Sequence, residues 1–258
     1  MMHFSNLQAI KEVYDMIGNI HSIETCGTVD GPGIRYVLFT QGCPLRCQYC
    51  HNPDSWKVGD GKKMSVDQII KDVVKYKTYM QFSGGGITVS GGEPLLQPDF
   101  VGQLFKECKK NGIHTCLDTS GYIKLDKADP VLDYTDLVLL DIKSYNPLVF
   151  KDLTGVPVDS TLAFSQHLSK RNIPVWIRYV LVPNLTDNPE DIEDLAKFLT
   201  TLENIERIDI LPFHKMGEYK WEQLGYNYQL ADTPEPSHDD VVMAQNIFKK
   251  YNLPVEIF

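Results

Sequence analysis

Residues 34–52 read I-R-Y-V-L-F-T-Q-G-C-P-L-R-C-Q-Y-C-H-N, an apolar strand-like run that opens into a loop with three cysteines. Cys43, Cys47 and Cys50 are separated by three and then two residues, so their thiols can serve one metal centre. Iron–sulfur clusters are normally held by four cysteine thiolates. A set of three leaves one iron without a protein ligand, and an open coordination position is also what separates catalytic from structural zinc sites. The loop therefore points to a metal centre that does chemistry, at the C-terminal end of a strand.

Working outward from this loop, further strand-like runs follow at 86–90, 114–118, 136–141, 175–182 and 208–213. Helix-like stretches lie between them at 66–77, 99–111, 161–171 and 189–201, with a shorter one containing Pro130 at 124–134 and a last one at 239–251. Ser65 followed by Gln68 predicts a capping box. Leu7, Ile10, Val13, Tyr14 and Ile17 recur near helical spacing, so residues 1–19 are expected to form an N-terminal helical extension ahead of a single domain over 20–258. Strands alternating with helices predict an α/β fold with mostly parallel strands and right-handed crossovers. Six strand-like runs are too few for a closed eightfold barrel. The expectation is a partial (β/α)6 TIM-like barrel, with the cysteine loop after its first strand and an open side that admits a protein loop.

Composition narrows the function classes. The 258 residues are 43% hydrophobic and 23% charged, as in ordinary soluble globular proteins. No apolar run has the length of a bilayer span and no signal-like N-terminus is visible, which predicts a cytoplasmic chain with no membrane partner. A net charge of -9 without a basic stripe argues against nucleic acid, and Lys109-Lys110 and Lys249-Lys250 fall near predicted helix ends. Six cysteines in such a chain do not read as a disulfide framework. Cys108 and Cys116, in a predicted helix and strand, read as buried structural thiols. Cys26 is either another structural thiol or a spare one near the site.

Polar residues cluster at the C-terminal ends of the predicted strands: Ser90-Gly91-Gly92-Glu93, Asp118-Thr119, Asp141 with Lys143, and Pro212-Phe213-His214. In parallel α/β folds that edge is where active sites assemble. Glycine lets backbone approach a ligand closely, and the carbonyls of this segment or Glu93 can accept from an ammonium group; a plain tight turn is the alternative. Asp118 and Asp141 end apolar strands, where an unpartnered buried carboxylate would be costly; surface acids are the alternative. A strand-like continuation past Asp141 would put Lys143 on the same face. Arg178, inside W-I-R-Y-V, is expected to meet an anion, and His214 a ligand. His3, His21, His114, His167 and His238 have no partner pattern and are expected to be structural. A zinc site at Cys43, Cys47, Cys50 and His51 is the competing reading of the loop, although adjacent Cys50 and His51 are awkward joint ligands of one tetrahedral ion.

The cysteine spacing, with aromatic Tyr49 before the last cysteine, resembles the radical S-adenosylmethionine superfamily. Its members hold a [4Fe–4S] cluster with three cysteines and bind the amine and carboxylate of S-adenosylmethionine at the fourth iron. Longer stretches extend the likeness from about Ile20 onward: E-T-C-G-T-V-D-G-P-G-I-R at 24–35, I-H-T-C-L-D-T-S-G at 113–121, V-W-I-R-Y-V at 175–180 and H-K-M-G-E-Y-K-W at 214–221. These are similar to the glycyl radical enzyme activases, in particular those whose protein substrate is pyruvate formate-lyase. Pro94 after Gly-Gly-Glu and the N-terminal extension are departures that touch no implied ligand.

The resemblance implies that Cys43, Cys47 and Cys50 hold the cluster, with Lys143 and Arg178 completing the catalytic set. It implies contacts to S-adenosylmethionine from Tyr49, Cys50, His51, Gly91, Gly92, Glu93, Asp141, Ile142, Lys143 and His214. Asp118, Thr119 and Asp141 would hold a monovalent cation, and Asp30 would hold the backbone of the incoming glycine loop. The implied reaction is one-electron cleavage of S-adenosylmethionine to a 5′-deoxyadenosyl radical, which abstracts hydrogen from a glycine of pyruvate formate-lyase. Flavodoxin or ferredoxin is the implied electron donor, and the chain is expected to act as a monomer. Two alternatives stand beside this reading. One is an activase of a different glycyl radical enzyme; the subgroup that inserts two further four-cysteine sets is excluded, because three cysteines are left over. The other is a non-catalytic iron–sulfur electron carrier, which explains the loop but not the polar strand ends.

Overall fold

The apolar run before the cysteine loop is a strand over Arg35–Thr40 in the computed structural model, which describes residues 16–257. Tyr36, Val37 and Leu38 on it are fully buried, as expected of a strand covered on both faces. The described residues divide into two units. One takes 16–42, Lys57–Asp118 and Lys124–Asp136; the other takes Cys43–Trp56, Thr119–Ile123 and 137–257.

In chain order the first unit contains β1 (Ile17–Gly27), β2 (Arg35–Thr40), β3 (Lys62–Ser65), α1 (Val66–Val73), α2 (Lys77–Ser83), β4 (Gly86–Gly91), α3 (Pro98–Lys110), β5 (His114–Thr119) and α4 (Leu125–Leu132). Its strands lie in the order β3-β1-β2-β4-β5. β2, β4 and β5 run parallel, whereas β1 is antiparallel to both β2 and β3. The predicted capping box is present: the Ser65 hydroxyl accepts from the Gln68 N–H at 3.2 Å, and the Ser65 N–H donates to Gln68 Oε1 at 2.9 Å.

Two expectations are corrected in this unit. Leu7, Ile10, Val13 and Tyr14 lie outside the described residues, but Ile17–Asn19 are strand, with Ile17 opposite Ser65 and Asn19 opposite Lys63. Gly18 and Ile20 are buried while Ile17 is exposed, the two-residue period of a strand. Gly18 also lies so close to Phe100 that an added Cβ would come within 2.5 Å of its ring. The single helix expected at 66–77 is instead two helices, α1 and α2, joined by a 3₁₀ turn at Val74–Tyr76.

The second unit contains β6 (Leu137–Asp141), α5 (Pro147–Thr154), α6 (Asp159–Lys170), β7 (Val175–Leu181), α7 (Pro189–Leu199), β8 (Ile205–Pro212), α8 (Glu218–Gln223), α9 (His238–Lys250) and β9 (Val255–Ile257). The order β6-β7-β8-β9 is parallel throughout. All six predicted strands are present. The antiparallel β1 and β3, the short β9, and helices α5 and α8 are additions. Asn146-Pro147 carried the signal for α5, because the Asn146 side chain accepts from the Leu148 N–H at 3.0 Å and Pro147 opens the helix. No helix among the described residues is long and apolar enough to cross a membrane.

Candidate active site

The cysteine loop has no regular structure apart from a 3₁₀ turn at Pro53–Ser55, so its shape depends on what grips it. The Cys43 N–H donates to the Trp56 carbonyl at 3.1 Å and closes the loop on itself. The Arg46 and Gln48 N–H groups donate to the Thr154 and Leu153 carbonyls at 2.8 and 3.0 Å, which ties it to the end of α5. From α8, the Trp221 indole N–H donates to the Cys50 carbonyl at 2.8 Å, and Lys220 donates to Asn52 Oδ1 at 2.8 Å. Arg46 donates to the Cys43 carbonyl at 2.8 Å and lies 4.9 Å over the Trp56 ring. Trp221 carries a grip on the loop that sequence reasoning missed, although H-K-M-G-E-Y-K-W marked the segment.

Leu45, Tyr49, Trp56, Leu153, Phe213 and Trp221 form an apolar cluster around Cys47, with Cys43 and Cys50 packed against it. All three thiols are free of disulfides. Burial pushes the Cys47 thiol up to about 12, although Lys143 pulls the other way, and burial raises Cys50 as well. Bare thiolates are disfavoured in such a shell, so thiolate ligation there needs the positive charge of a metal. Among the described residues no three His, Cys, Asp or Glu side chains are grouped as ligands of one metal ion.

Asp141 is the last residue of β6, so the expected strand-like continuation is absent. The strand ladder ends there, yet Lys143 still reaches Asp141, with Nζ 2.9 Å from Oδ2. Ile142 between them is fully buried. Lys143 also lies 5.4 Å over the Tyr49 ring, which links the ion pair to the cysteine loop. Burial opposes both charges, but each is outweighed. Lys143 and Arg178 hold the Asp141 carboxyl below the usual carboxylate range, while Asp141, Tyr49 and Cys47 keep Lys143 well above the usual lysine range. The anions that Arg178 meets are internal. It stands in register with Asp141 on β6 and Asp209 on β8, on the half-exposed face of β7.

His51 and His214 also come together, with ring centroids 4.4 Å apart. His51 Nε2 lies 3.2 Å from the His214 carbonyl, a bond that requires the proton on Nε2 and leaves Nδ1 available. Thr119 Oγ1 accepts from the Gly121 N–H at 3.0 Å. The second unit thus gathers Cys43, Cys47, Tyr49, Cys50, His51, Asp141, Ile142, Lys143, Arg178 and His214, and also carries Thr119.

Gly91, Gly92, Glu93, Asp118 and Asp30 belong to the first unit. Gly91 has φ +113°, and a Cβ there would come within 2.3 Å of the Thr40 nitrogen. The Gly92 N–H donates to the Thr40 carbonyl at 2.9 Å. Glu93 is 1% exposed and its carboxylate accepts from the Leu95 N–H at 3.1 Å, so it caps the 3₁₀ turn at Pro94–Leu96. Gly91→Ala is expected to lower the melting temperature by several degrees, because a positive φ and a backbone clash act together; a thermal melt of the variant checks this. The Ser90 hydroxyl donates to Asp118 at 2.6 Å.

The Asp30 carbonyl accepts from the Thr88 hydroxyl at 2.7 Å, and that hydroxyl in turn accepts from Arg35 Nε at 2.9 Å. Arg35 is fully buried and also donates to the Ile87 and Pro32 carbonyls and to His114 Nδ1. Sequence reasoning did not single it out; its signal was a charged residue at the head of an apolar strand.

Residues 37–199 match the model of the Radical SAM superfamily. The pyruvate formate-lyase-activating enzyme of Staphylococcus epidermidis is 47% identical over 249 residues, covering 93% of this chain and 99% of that protein. The chain belongs to the radical SAM family of pyruvate formate-lyase activating enzymes. The pyruvate formate-lyase 1-activating enzyme of Escherichia coli K12 is 45% identical over 240 residues, with 92% and 97% covered. A crystallised domain of a pyruvate-formate lyase-activating enzyme from Bacteroides vulgatus matches with a TM-score of 0.59 at 28% identity, over 68% of this chain and 99% of the domain. A radical SAM methyltransferase from Sphaerobacter thermophilus matches over 93% of this chain and 77% of its own, with a TM-score of 0.65 at 14% identity. That likeness concerns the fold alone, a mostly parallel α/β fold consistent with the expected partial barrel. Membership of this family implies a [4Fe–4S] cluster and S-adenosylmethionine. The residues fit: three thiols outside any disulfide lie in or against an apolar cluster, and a buried charged pair stands beside Tyr49 of the same loop.

Proposed function

We propose that this protein activates pyruvate formate-lyase by generating a glycyl radical on it. The observation that carries the proposal is the Lys143–Asp141 pair, buried and charged, against Tyr49 of the three-thiol loop. A simple electron carrier has no use for such a pair, whereas a cofactor with a carboxylate and a ribose does.

When bound, a reduced [4Fe–4S] cluster and S-adenosylmethionine would supply the one-electron radical chemistry that removes a hydrogen atom from the substrate glycine. Cys43, Cys47 and Cys50 would hold the cluster, and the apolar side chains around them exclude water. Lys143 has three donors, so it can keep Asp141 and also take a cofactor carboxylate. Asp141 would accept from ribose hydroxyls, with Arg178 holding its charge. Tyr49, His51, Ile142 and His214 would line the cofactor, and the Gly91-Gly92-Glu93 carbonyls would accept from its amine. Asp30 as the holder of the glycine loop, and a monovalent cation at Asp118, Thr119 and Asp141, rest on the sequence resemblance. So do flavodoxin or ferredoxin as electron donor and action as a monomer.

The test is anaerobic reconstitution with iron and sulfide, reduction with dithionite, and incubation with S-adenosylmethionine and pyruvate formate-lyase. A glycyl radical signal in electron paramagnetic resonance, with release of 5′-deoxyadenosine, is expected. Release of 5′-deoxyadenosine with a radical only on another glycyl radical enzyme would reassign the substrate. No release at all would leave an electron carrier.

A further inference from the structure

Residues 214–221 hold the far end of the cysteine loop, from Cys50 to Trp56, at several points. His51 Nε2 donates to the His214 carbonyl at 3.2 Å. Gly217 stands so close that an added Cβ would come within 2.6 Å of His51 Cα. Lys220 donates to Asn52 Oδ1 at 2.8 Å and to Asp54 at 3.1 Å. The Trp221 ring meets Trp56 edge-on at 5.0 Å, and its indole N–H donates to the Cys50 carbonyl at 2.8 Å. The last of these bonds falls on a cysteine. Trp221 is 4% exposed, so the bond forms away from water, where it is electrostatically stronger.

The Cys50 carbonyl belongs to the peptide that joins Cys50 to His51, and a peptide group is rigid and planar. A donor on that oxygen therefore holds the plane between a thiol that would bind the cluster and a histidine that would line the cofactor. On the other side, the Cys50 N–H donates to the Cys47 carbonyl at 3.0 Å. With both flanking peptides held, the direction of the Cys50 Cα–Cβ bond is held too. We infer that Trp221 is a positioning residue: through the Cys50 carbonyl it keeps this thiol and His51 in place for the cluster and for S-adenosylmethionine. The inference rests on the cluster assignment made above. Groups that orient the ligands of a metal without touching it commonly contribute about ten- to a hundredfold to metal retention or activity.

Two variants test it by different routes. Trp221→Phe removes the donor and keeps an aromatic ring. Gly217→Ala keeps the donor but presses on His51; with φ at −88° alanine fits the backbone there, so the crowded contact is what the methyl disturbs. Tyr219→Ala, at a 54% exposed position on α8, is the control. Each protein is reconstituted anaerobically and assayed for iron and sulfide. Release of bound iron to a chelator is expected to be about tenfold faster in Trp221→Phe, faster also in Gly217→Ala, and unchanged in Tyr219→Ala. The KM for S-adenosylmethionine in 5′-deoxyadenosine release should rise about fivefold in Trp221→Phe with kcat nearly unchanged, the pattern of lost ground-state binding. A Trp221→Phe protein that melts lower but keeps the parent's iron release and KM would show that the indole only packs, and would overturn the inference. Effects of equal size from Tyr219→Ala would overturn it as well. If Trp221→Phe fails to fold, parent-like iron release and KM in Gly217→Ala would do the same. A parent protein that takes up no four-iron cluster would overturn the cluster assignment instead, which iron and sulfide content reads directly.

Discussion

Cys47→Ala is expected to lose the four-iron cluster and to lower 5′-deoxyadenosine release by more than about a hundredfold, beyond the loss typical of a residue that only supports a ligand. Cys47 is the most enclosed of the three thiols, 8% exposed. Its apolar shell pushes this thiol up to about 12, so it would serve as a thiolate there only with the positive charge of a metal beside it. The fold should survive the change. The contacts that grip the loop, from Cys43, Arg46, Gln48 and Cys50 to Trp56, α5 and α8, are main-chain or belong to other side chains. Far-ultraviolet circular dichroism should therefore be unchanged and the stability loss about 1–2 kcal/mol, the scale of a small cavity. Anaerobic iron and sulfide analysis with chromatography of the nucleoside product measures both effects. Cys26→Ala, at an exposed position on β1, is the control and should keep the cluster. If Cys47→Ala retained a full cluster and normal cofactor cleavage, the three-cysteine assignment would fall.

Arg35→Met is expected to destabilise the protein by about 3–5 kcal/mol, through lost bonds to a charged donor and the acceptors left behind. Four groups depend on that guanidinium: the Thr88 hydroxyl, the Ile87 and Pro32 carbonyls and His114. Through Thr88 it also supports the turn that carries Asp30. Arg35→Lys should recover less than half, because a point ammonium cannot serve the directions that a planar fork reaches. Urea denaturation of the three proteins, with equal slopes, gives the comparison; a loss below about 1 kcal/mol would show that the network carries little of the stability. The bond from Arg35 requires His114 to accept at Nδ1, and burial and the neighbouring Arg35 lower the His114 pKa. A depressed value means this stabilisation is complete above the ordinary histidine range. It is lost as pH falls through the folded-state value, where His114 would gain charge beside Arg35.

The legible part of the site was the part made of ligand types. Three cysteines in a short loop, and acids at strand ends, state a chemistry wherever they are folded. The six core strands were legible for a similar reason, since runs such as Leu137–Asp141 and Val175–Leu181 are short and apolar and lie between turn residues or helices. At Ile17–Asn19 the helical spacing misled because an apolar position says nothing about a waiting strand edge; β1 is strand because β2 and β3 pair with it. Glu93 reads as a ligand from its motif, and only the structure shows that its carboxylate also accepts from the Leu95 N–H.

Local chemistry and periodicity are properties of neighbours in sequence, and they determined the mostly parallel α/β class, the three-cysteine loop and the family. The partner of each polar group is set by residues far away along the chain, and only the tertiary structure decided those. Trp221 grips Cys50 from 171 positions away, and Arg35 meets His114 across 79. Lys143 pairs with Asp141 from just past the end of β6. Burial opposes the charges of that pair and its charged neighbours outweigh it, because desolvation and attraction both depend on what surrounds a group in space.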